Sequence, residues 1–323
     1  MVILTGGAGF IGSVMLERLN LAGVEDILIV DSLDTTEKWR NLVGKKFQDY
    51  CHKDALPEYL TETLEGSDVD AVIHLGACTA TTERDMDYLM RNNYLYSKML
   101  AVWCFEHNKP FIYASSASTY GDGKLGFSDE NEFTPRFRPL NAYGYSKHVF
   151  DLWLLQNGYD ALAAGFKFFN VFGPNEYHKG AMASLVYKAY HQVKDTGALK
   201  LFKSASPDYK DGEFLRDFIY VKDCVDVLMW AYENPSLRGI YNLGTGKARN
   251  WNDLAAALFS AVGKEKNIEY IDMPADIASQ YQYFTQADMQ KLQRAGYTTP
   301  FMELEDSVAD YVKNYLSKEQ PYL

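Results

Sequence analysis

Three groups of residues in this chain have the types and spacing of a hydride-transfer site. The first is Thr5-Gly6-Gly7-Ala8-Gly9-Phe10-Ile11-Gly12, which holds both G-x-G-x-x-G and G-x-x-G-x-x-G spacings. Glycines at these intervals permit a tight turn and close backbone approach to a pyrophosphate, and the helix that follows aims its N-terminus at the anion. Asp31 stands 19 residues past Gly12, near the spacing of about 20 expected of an acid that holds ribose hydroxyls. The second group is Tyr-x-x-x-Lys, which sets a phenol and an ammonium one helical turn apart. The cation favours phenolate, so the tyrosine pKa is expected to fall from about 10 toward the working range, where it can exchange a proton with a substrate hydroxyl. The pattern occurs four times, beginning at Tyr94, Tyr120, Tyr143 and Tyr190. What singles out Tyr143/Lys147 is the third group: Phe111 to Ser116 reads as a buried strand ending in hydroxyls. Ligands of parallel sheets sit at such strand ends, so Ser116 can reach the same oxygen as Tyr143.

Each group also has a bland reading: the glycines as a turn, Ser116 as a cap, the lysines after Asp31 as a solvated loop. The context favours the dinucleotide site, because a strand precedes Gly6, an amphipathic stretch follows Gly12 and Asp31 ends the second strand. Spacing alone leaves NAD and NADP open. Asp31 favours a free 2′-hydroxyl, while Lys38, Arg40, Lys45, Lys46 and Lys53 after it would reverse that preference if brought beside it.

The elements that must position these groups alternate. Apolar segments Val2–Leu4, Ile27–Val30, Ala71–His74 and Phe111–Ala114 read as strands, and Ile11–Leu21 and Leu89–His107 as helices. Alternation of this kind predicts an α/β fold with a doubly wound parallel Rossmann sheet. After about Asn170 the pattern becomes irregular, with a helix expected near Met182–Val193, strands at Phe218–Val221 and Ile240–Leu243, and helices at Trp251–Val262 and Met302–Leu316. We expect a cofactor-binding domain over 1–170, to which 217–247 returns, packed closely on a smaller C-terminal substrate-binding lobe over 171–323.

Composition excludes other classes. Among 323 residues the formal charge is −11, which argues against nucleic acid or an anionic membrane as partner. With 47% hydrophobic residues the chain can bury a core, so disorder is not expected. No run approaches the roughly 18 to 20 apolar residues of a membrane span, and MVILTGGAGF lacks the pattern of a secretion signal. Cys51, Cys78, Cys104 and Cys224 are dispersed, without metal-ligand spacing, as in reduced cytoplasmic proteins. No metal is expected.

Longer runs carry a family resemblance. Gly6-x-x-Gly9-x-x-Gly12, Ser115-Ser-Ala-Ser-Thr-Tyr-Gly121, Tyr143-x-x-x-Lys147 and Arg216-Asp217-Phe218-Ile219-Tyr220-Val221 resemble extended short-chain dehydrogenases/reductases acting on nucleotide sugars. His74-Leu-Gly-Ala-Cys-Thr79, Asn92-Asn93-Tyr94, Asn141-Ala-Tyr-Gly-Tyr-Ser-Lys147, Asn170-Val-Phe-Gly-Pro174, His178-Lys-Gly-Ala-Met-Ala-Ser184, Asn242-Leu-Gly-Thr-Gly246 and Phe284-Thr-Gln-Ala-Asp288 are similar to the ADP-L-glycero-D-manno-heptose 6-epimerase family over nearly the whole chain.

The resemblance implies an NADP site, with NAD possible, built from Gly6, Gly9, Phe10, Ile11, Gly12, Asp31, Ser32, Lys38, Lys53, Leu75, Gly76, Ala77, Cys78, Thr79, Asn92, Lys147, Val171 and Lys179. Lys38 and Lys53 become the candidates to offset Asp31, and Ser32 replaces the Asn that the family often has there. It implies epimerisation without net redox: Tyr143, helped by Ser116 and Lys147, removes the C6″ hydroxyl proton of the heptose while hydride leaves C6″. The resulting ketone turns about C5″–C6″, and a second acid/base, at the position of Lys179, serves the relocated oxygen. The ADP-sugar positions are Ser116, Asn170, Ala181, Lys188, Phe202, Lys203, Ser204, Ala205, Arg216 and Tyr281, with the Arg216 guanidinium suited to a diphosphate. The stretch KSASPDYKDGEFL before Arg216 is longer than in the family. Also implied are a homo-oligomer, pentameric in the family, and a place in lipopolysaccharide inner-core heptose synthesis. Alternatives are a UDP-sugar 4-epimerase, for which Lys179 would be dispensable, and a non-catalytic NADP-sensing module, for which Tyr143 would be. A dehydratase lacks support, since Ala117 and Ser118 stand where its acid pair belongs.

Overall fold

The computed structural model describes residues 1–62, 64, 66–274 and 282–323. In β1 (Val2–Thr5), Val2 and Leu4 point into one apolar cluster and Ile3 into a second on the opposite side. The same alternation recurs in β2 (Ile27–Asp31), where Ile27 and Ile29 oppose Leu28 and Val30. A strand apolar on both faces must be covered on both. The helices do this: α1 (Phe10–Leu21) contributes Phe10, Val14, Met15, Leu16 and Leu19 to the first cluster.

Four further strands follow, with helices between. These are β3 (Asp49–His52), α2 (Leu56–Glu62), β4 (Ala71–His74), α3 (Met86–Leu89), α4 (Tyr96–Glu106), β5 (Phe111–Ser116), α5 (Ala142–Gln156) and β6 (Ala163–Phe168). A π-helical turn, Met90–Leu95, makes α3 and α4 one continuous helical stretch. α2, α4 and α5 feed Leu56, Leu60, Leu100, Cys104, Phe150 and Leu154 into the second cluster. Beyond β7 (Asn170–Phe172), α6 (Leu185–Thr196), β8 (Leu199–Phe202), β9 (Leu215–Tyr220) and α7 (Val221–Glu233), the chain returns as β10 (Gly239–Leu243). The central sheet has the order β10-β6-β5-β4-β1-β2-β3, and every pairing is parallel. Strand order reverses between β1 and β4, which opens a crevice at their carboxyl ends.

β11 (Ala248–Asn250), α8 (Trp251–Val262) and β12 (Ile268–Ile271) complete two small sheets, β11-β9-β7 and β12-β8. The first apolar cluster runs without a break from Val2 through Leu254 of α8 to Leu316. No helix among the described residues is long and apolar enough to cross a membrane.

The strands and helices expected from periodicity are present within a few residues, whereas β3 and β6 carry no such signal. Asp49-Tyr50-Cys51-His52 is an edge strand with only Cys51 buried. β6 is buried along its whole length although it contains Lys167. The charge is tolerated because Lys167 meets Asp151 of α5, both side chains being fully buried. Asp151 also accepts from Tyr113 Oη at 2.9 Å and Ser115 Oγ at 2.7 Å, and Lys167 donates to Thr119 at 2.9 Å. Lys167→Met would strand that carboxylate, an error that costs about 3–5 kcal/mol. Denaturant unfolding should show a loss of this size, and a change below about 1 kcal/mol, within the ordinary range of surface substitutions, would refute the reading.

Candidate active site

The glycine loop closes on the neighbouring strand end. Gly6 has φ +67°, and a Cβ there would lie 2.6 Å from the amide nitrogen of Gly76, so β1 and β4 can meet only if that side chain is absent. A Cβ on Gly12 would lie 2.0 Å from the Gly6 carbonyl oxygen. Helix α1 then begins with no side chain capping it and no acid in its first turn, leaving amide donors that suit a phosphate anion. The glycine cradle and its free helix end fit a dinucleotide.

Past that turn a cavity of about 140 Å³ is lined by Gly6, Asp31, Ser32, Lys38, Lys53, Gly76, Ala77, Cys78 and Asn92, so one group of the expected cofactor positions gathers here. Asp31 is buried and fully engaged: Oδ2 accepts from the Ala8 amide at 2.9 Å, and Oδ1 accepts from the Ser32 amide at 2.8 Å and from Lys38 Nζ at 2.7 Å. Lys38 therefore offsets the acid directly. Lys53 faces the same cavity but pairs with Asp54 at 2.8 Å, so of the two expected cations only Lys38 is on Asp31.

A second cavity, of about 370 Å³, brings together Phe10, Ile11, Leu75, Ala77, Thr79, Ser116, Tyr143, Lys147, Asn170, Val171 and Lys179. Of the four Tyr-x-x-x-Lys pairs, the one in α5 lines it. β5 ends at Ser116, whose oxygen caps the following turn through the Ser118 amide at 3.1 Å. Asn141 caps α5 by accepting from the Gly144 amide at 2.7 Å, which starts the helix at Ala142, one residue before Tyr143. The expected depression of the Tyr143 pKa is not what the structure gives. Burial raises it, and the hydrogen bond with Ser116 pulls the other way. Lys147 is itself desolvated, its pKa lowered to about 8 by burial against the opposing pull of Asp151. Desolvation leads both shifts because both groups are nearly closed off from water.

Lys179 lines the same cavity from the turn Tyr177–Met182, with its ammonium 5.5 Å from the Phe10 ring centre. Burial lowers its pKa and Glu176 opposes the shift. His178 is brought down to about 4 by burial and by Lys38 and Lys179, and its Nδ1 lies 3.4 Å from Asn41 Nδ2. Neutral at ordinary pH, it faces Asn41 rather than the cavity.

The expected ADP-sugar positions divide. Asn170 lines the main cavity. Lys188 and Phe202 line an apolar cavity of about 540 Å³ with Leu201, Phe214 and Ile271. Trp251 borders both cavities and lies 6.0 Å from the Arg216 guanidinium. Arg216 is buried and donates to the carbonyls of Leu215, at 2.9 Å, and Gln282. Asp217 is occupied elsewhere, accepting the amides of Thr245, Gly246 and Ala287, and Asp223 accepts that of Met302. Ala181 supplies a carbonyl to Lys188 Nζ at 3.1 Å. Lys203 pairs with Asp272 at 2.9 Å, the Ser204 amide donates to Asp211 at 2.7 Å, and Ala205 is exposed. Tyr281 lies outside the described residues.

Asn93 has a structural part that sequence reasoning passed over in favour of its neighbour Asn92. Fully buried, it accepts from the Cys78 amide at 2.8 Å, donates to the Cys78 carbonyl at 2.9 Å and to Ser146 Oγ at 3.0 Å, while Ser146 donates to the Tyr143 carbonyl at 2.7 Å. It thereby ties the 75–79 segment to the helix of the tyrosine. Asn93→Leu would leave these groups unpaired, costing roughly 1–3 kcal/mol and loosening dinucleotide binding. Thermal unfolding together with a fluorescence titration of the cofactor tests this, and wild-type values in both would refute it.

The profile of the NAD dependent epimerase/dehydratase family matches residues 2–244. The chain is 54% identical over 323 residues to ADP-L-glycero-D-manno-heptose-6-epimerase from Nitratidesulfovibrio vulgaris (strain DP4), with all of both chains covered. It is 49% identical over 332 residues to the protein of that name from Fusobacterium nucleatum subsp. nucleatum, again covering both completely. Among solved structures, the Helicobacter pylori ADP-L-glycero-D-manno-heptose-6-epimerase superposes with a TM-score of 0.81 at 26% identity, over 97% of this chain and 95% of that one.

Proposed function

Because the chain belongs to the NAD dependent epimerase/dehydratase family and, within it, to the ADP-L-glycero-D-manno-heptose-6-epimerases, we propose that it interconverts the C6″ epimers of ADP-glycero-D-manno-heptose through a 6″-ketone. The observation that carries this reading is the gathering of Ser116, Tyr143 and Lys147 with Lys179, from a different segment of the chain, around one cavity. Inverting a carbinol by oxidation and re-reduction moves its oxygen, so one proton-transfer group cannot serve both positions. Two titratable groups around a common space can.

Phe10 and Ile11, which line this cavity, would help to hold a nicotinamide dinucleotide, which would supply hydride acceptance and return. Ser116 holds the substrate hydroxyl beside the Tyr143 phenol, which takes its proton, and Lys147 stabilises the phenolate from one helical turn away. It is the phenolate that accepts this proton, and since burial raises the Tyr143 pKa, that form depends on the Lys147 ammonium and the Ser116 hydrogen bond for its stability. After the ketone turns, the Lys179 ammonium donates to the oxygen in its new place. Its lowered pKa makes it a stronger acid than a solvated lysine. The adenine-nucleotide end of the substrate would use the apolar cavity at Phe202 and Lys188.

Purified protein given ADP-D-glycero-D-manno-heptose should convert it to the L-glycero epimer, read by resolving the two. Tyr143→Phe and Lys179→Met should each lower kcat by about 10²–10⁴-fold, the range of a lost general acid or base, while dinucleotide remains bound. Normal turnover in either variant would remove that residue from the mechanism, and normal turnover of Lys179→Met alone would favour a 4-epimerase type of site.

The cofactor of this reading is NADP, supported by the 2.7 Å contact of Lys38 with Asp31 and by Lys53 on the same cavity. A carboxylate already bonded to an ammonium repels a 2′-phosphate less, and the ammonium can bind that phosphate itself. Lys38→Ala should weaken NADP about tenfold or more, a change of about 1.4 kcal/mol, and weaken NAD much less. Equal effects on both dinucleotides in direct titration would overturn the assignment.

A further inference from the structure

Glu176 is a carboxylate almost wholly removed from water that lines the main cavity three residues before Lys179. Its oxygens receive donors from three parts of the chain. The Gly173 amide donates at 3.3 Å, the Ser184 hydroxyl at 2.7 Å, the Ser184 amide also donates, and Tyr311 Oη of the C-terminal helix Leu304–Tyr311 donates at 3.1 Å. Gly173 and Ser184 are the two ends of the excursion that carries Lys179. Between them Tyr177 Oη donates to the Pro321 carbonyl at 2.6 Å and the Ala181 carbonyl accepts from Lys188 Nζ at 3.1 Å, while Gly180 takes a left-handed φ of +52° with nothing within 4 Å of where a Cβ would be and no side chain caps the turn Tyr177–Met182.

A further anchor is the residue before Glu176. Asn175, buried and in the left-handed region at φ +73°, donates to Ser13 Oγ of α1 at 2.9 Å and accepts from the Leu323 amide at 2.9 Å. Asn41 Nδ2 donates to its carbonyl at 3.2 Å. Asn175 thus fixes where the excursion leaves the cofactor-binding side, and Glu176 fixes its closure.

We propose that Glu176 is the positioning residue for Lys179: by drawing Gly173, Ser184 and Tyr311 onto one carboxylate it holds the intervening loop closed, with the Lys179 ammonium over the cavity. The inference rests on the reading of Lys179 as the second acid/base. An anion serves here where an amide would not. All four contacts are donors to it, so a glutamine would turn its NH2 group toward another donor and lose at least one of them.

The test compares Glu176→Gln, Tyr311→Phe, Lys179→Met and the double variant Glu176→Gln/Lys179→Met in the full-length, dinucleotide-loaded protein. Epimer interconversion, dinucleotide titration and hydrogen exchange of amides 177–183 are measured for each. Glu176→Gln should lower kcat at least tenfold with KM and dinucleotide affinity within threefold of wild type, and it should speed exchange in 177–183. Tyr311→Phe, which removes one donor outside the cavity, should act in the same direction by about threefold. In the Lys179→Met background, Glu176→Gln should cost no further kcat, because its effect passes through the missing lysine. Unchanged kcat and exchange in Glu176→Gln, or a full additional loss in the double variant, overturns the proposal while leaving Lys179 in place. Normal turnover of Lys179→Met instead overturns the reading beneath it. If Glu176→Gln does not fold, Tyr311→Phe decides: unaltered kcat and exchange there refute the cross-tie.

Discussion

The pairing of Asp151 with Lys167 is the constraint to which the reacting end of the cavity is referenced. Two opposite charges in a water-free interior cannot separate without leaving one uncompensated, a penalty of several kcal/mol per ion. Asp151 therefore holds α5 against β6, and through Tyr113 and Ser115 against β5 as well. Tyr143, Lys147 and Asp151 are spaced four residues apart on that helix, so they share one stripe. The tyrosine and lysine inherit their place relative to Ser116 from the carboxylate two turns further on. The same carboxylate offsets part of the desolvation felt by Lys147. Packing and electrostatics are thus a single arrangement here.

A net charge of −11 sets the molecule's far field against any dinucleotide or nucleotide sugar. The local arrangement runs the other way. At the glycine loop α1 begins with no side-chain cap and no acid in its first turn. At Asp31 every oxygen is already taken by an amide or by Lys38, which removes the nearest repulsive charge. With screening over about 8–10 Å at ordinary ionic strength, such nearby donors decide binding and the remote acids matter little.

Much of this was legible in the chain itself. The glycine spacing, Asp31, Ser116 and Tyr143/Lys147 all depend on local spacing or on a strand ending in hydroxyls, and the structure brings them to two adjoining cavities. Residues whose partners come from distant segments were not legible. Asn93 joins Cys78 to Ser146, Glu176 joins Gly173 to Tyr311, and Lys167 turns a strand with a charge in it into a fully buried one. No periodicity records such pairings. The expected lowering of the Tyr143 pKa failed for a related reason: a Tyr-x-x-x-Lys spacing reports the proximity of a cation but not the desolvation of both groups, and desolvation dominates. Lys53 lines the cavity as expected but its charge pairs with the neighbouring Asp54 rather than with Asp31, a choice of partner that spacing does not record.

The unbroken apolar cluster from β1 through α8 to Leu316 bears on how such a protein can change over evolutionary time. A C-terminal lobe whose inner surface is part of the same core as Val2 and α1 is not a detachable module. Exchanging it whole would require a replacement that reproduces the shape of that shared surface to close-packed density. New ligand preference is more accessible by single substitutions at cavity-lining positions outside that cluster, such as Phe202 or Lys188. The fold would then diversify its ligands residue by residue, with its two halves descending together.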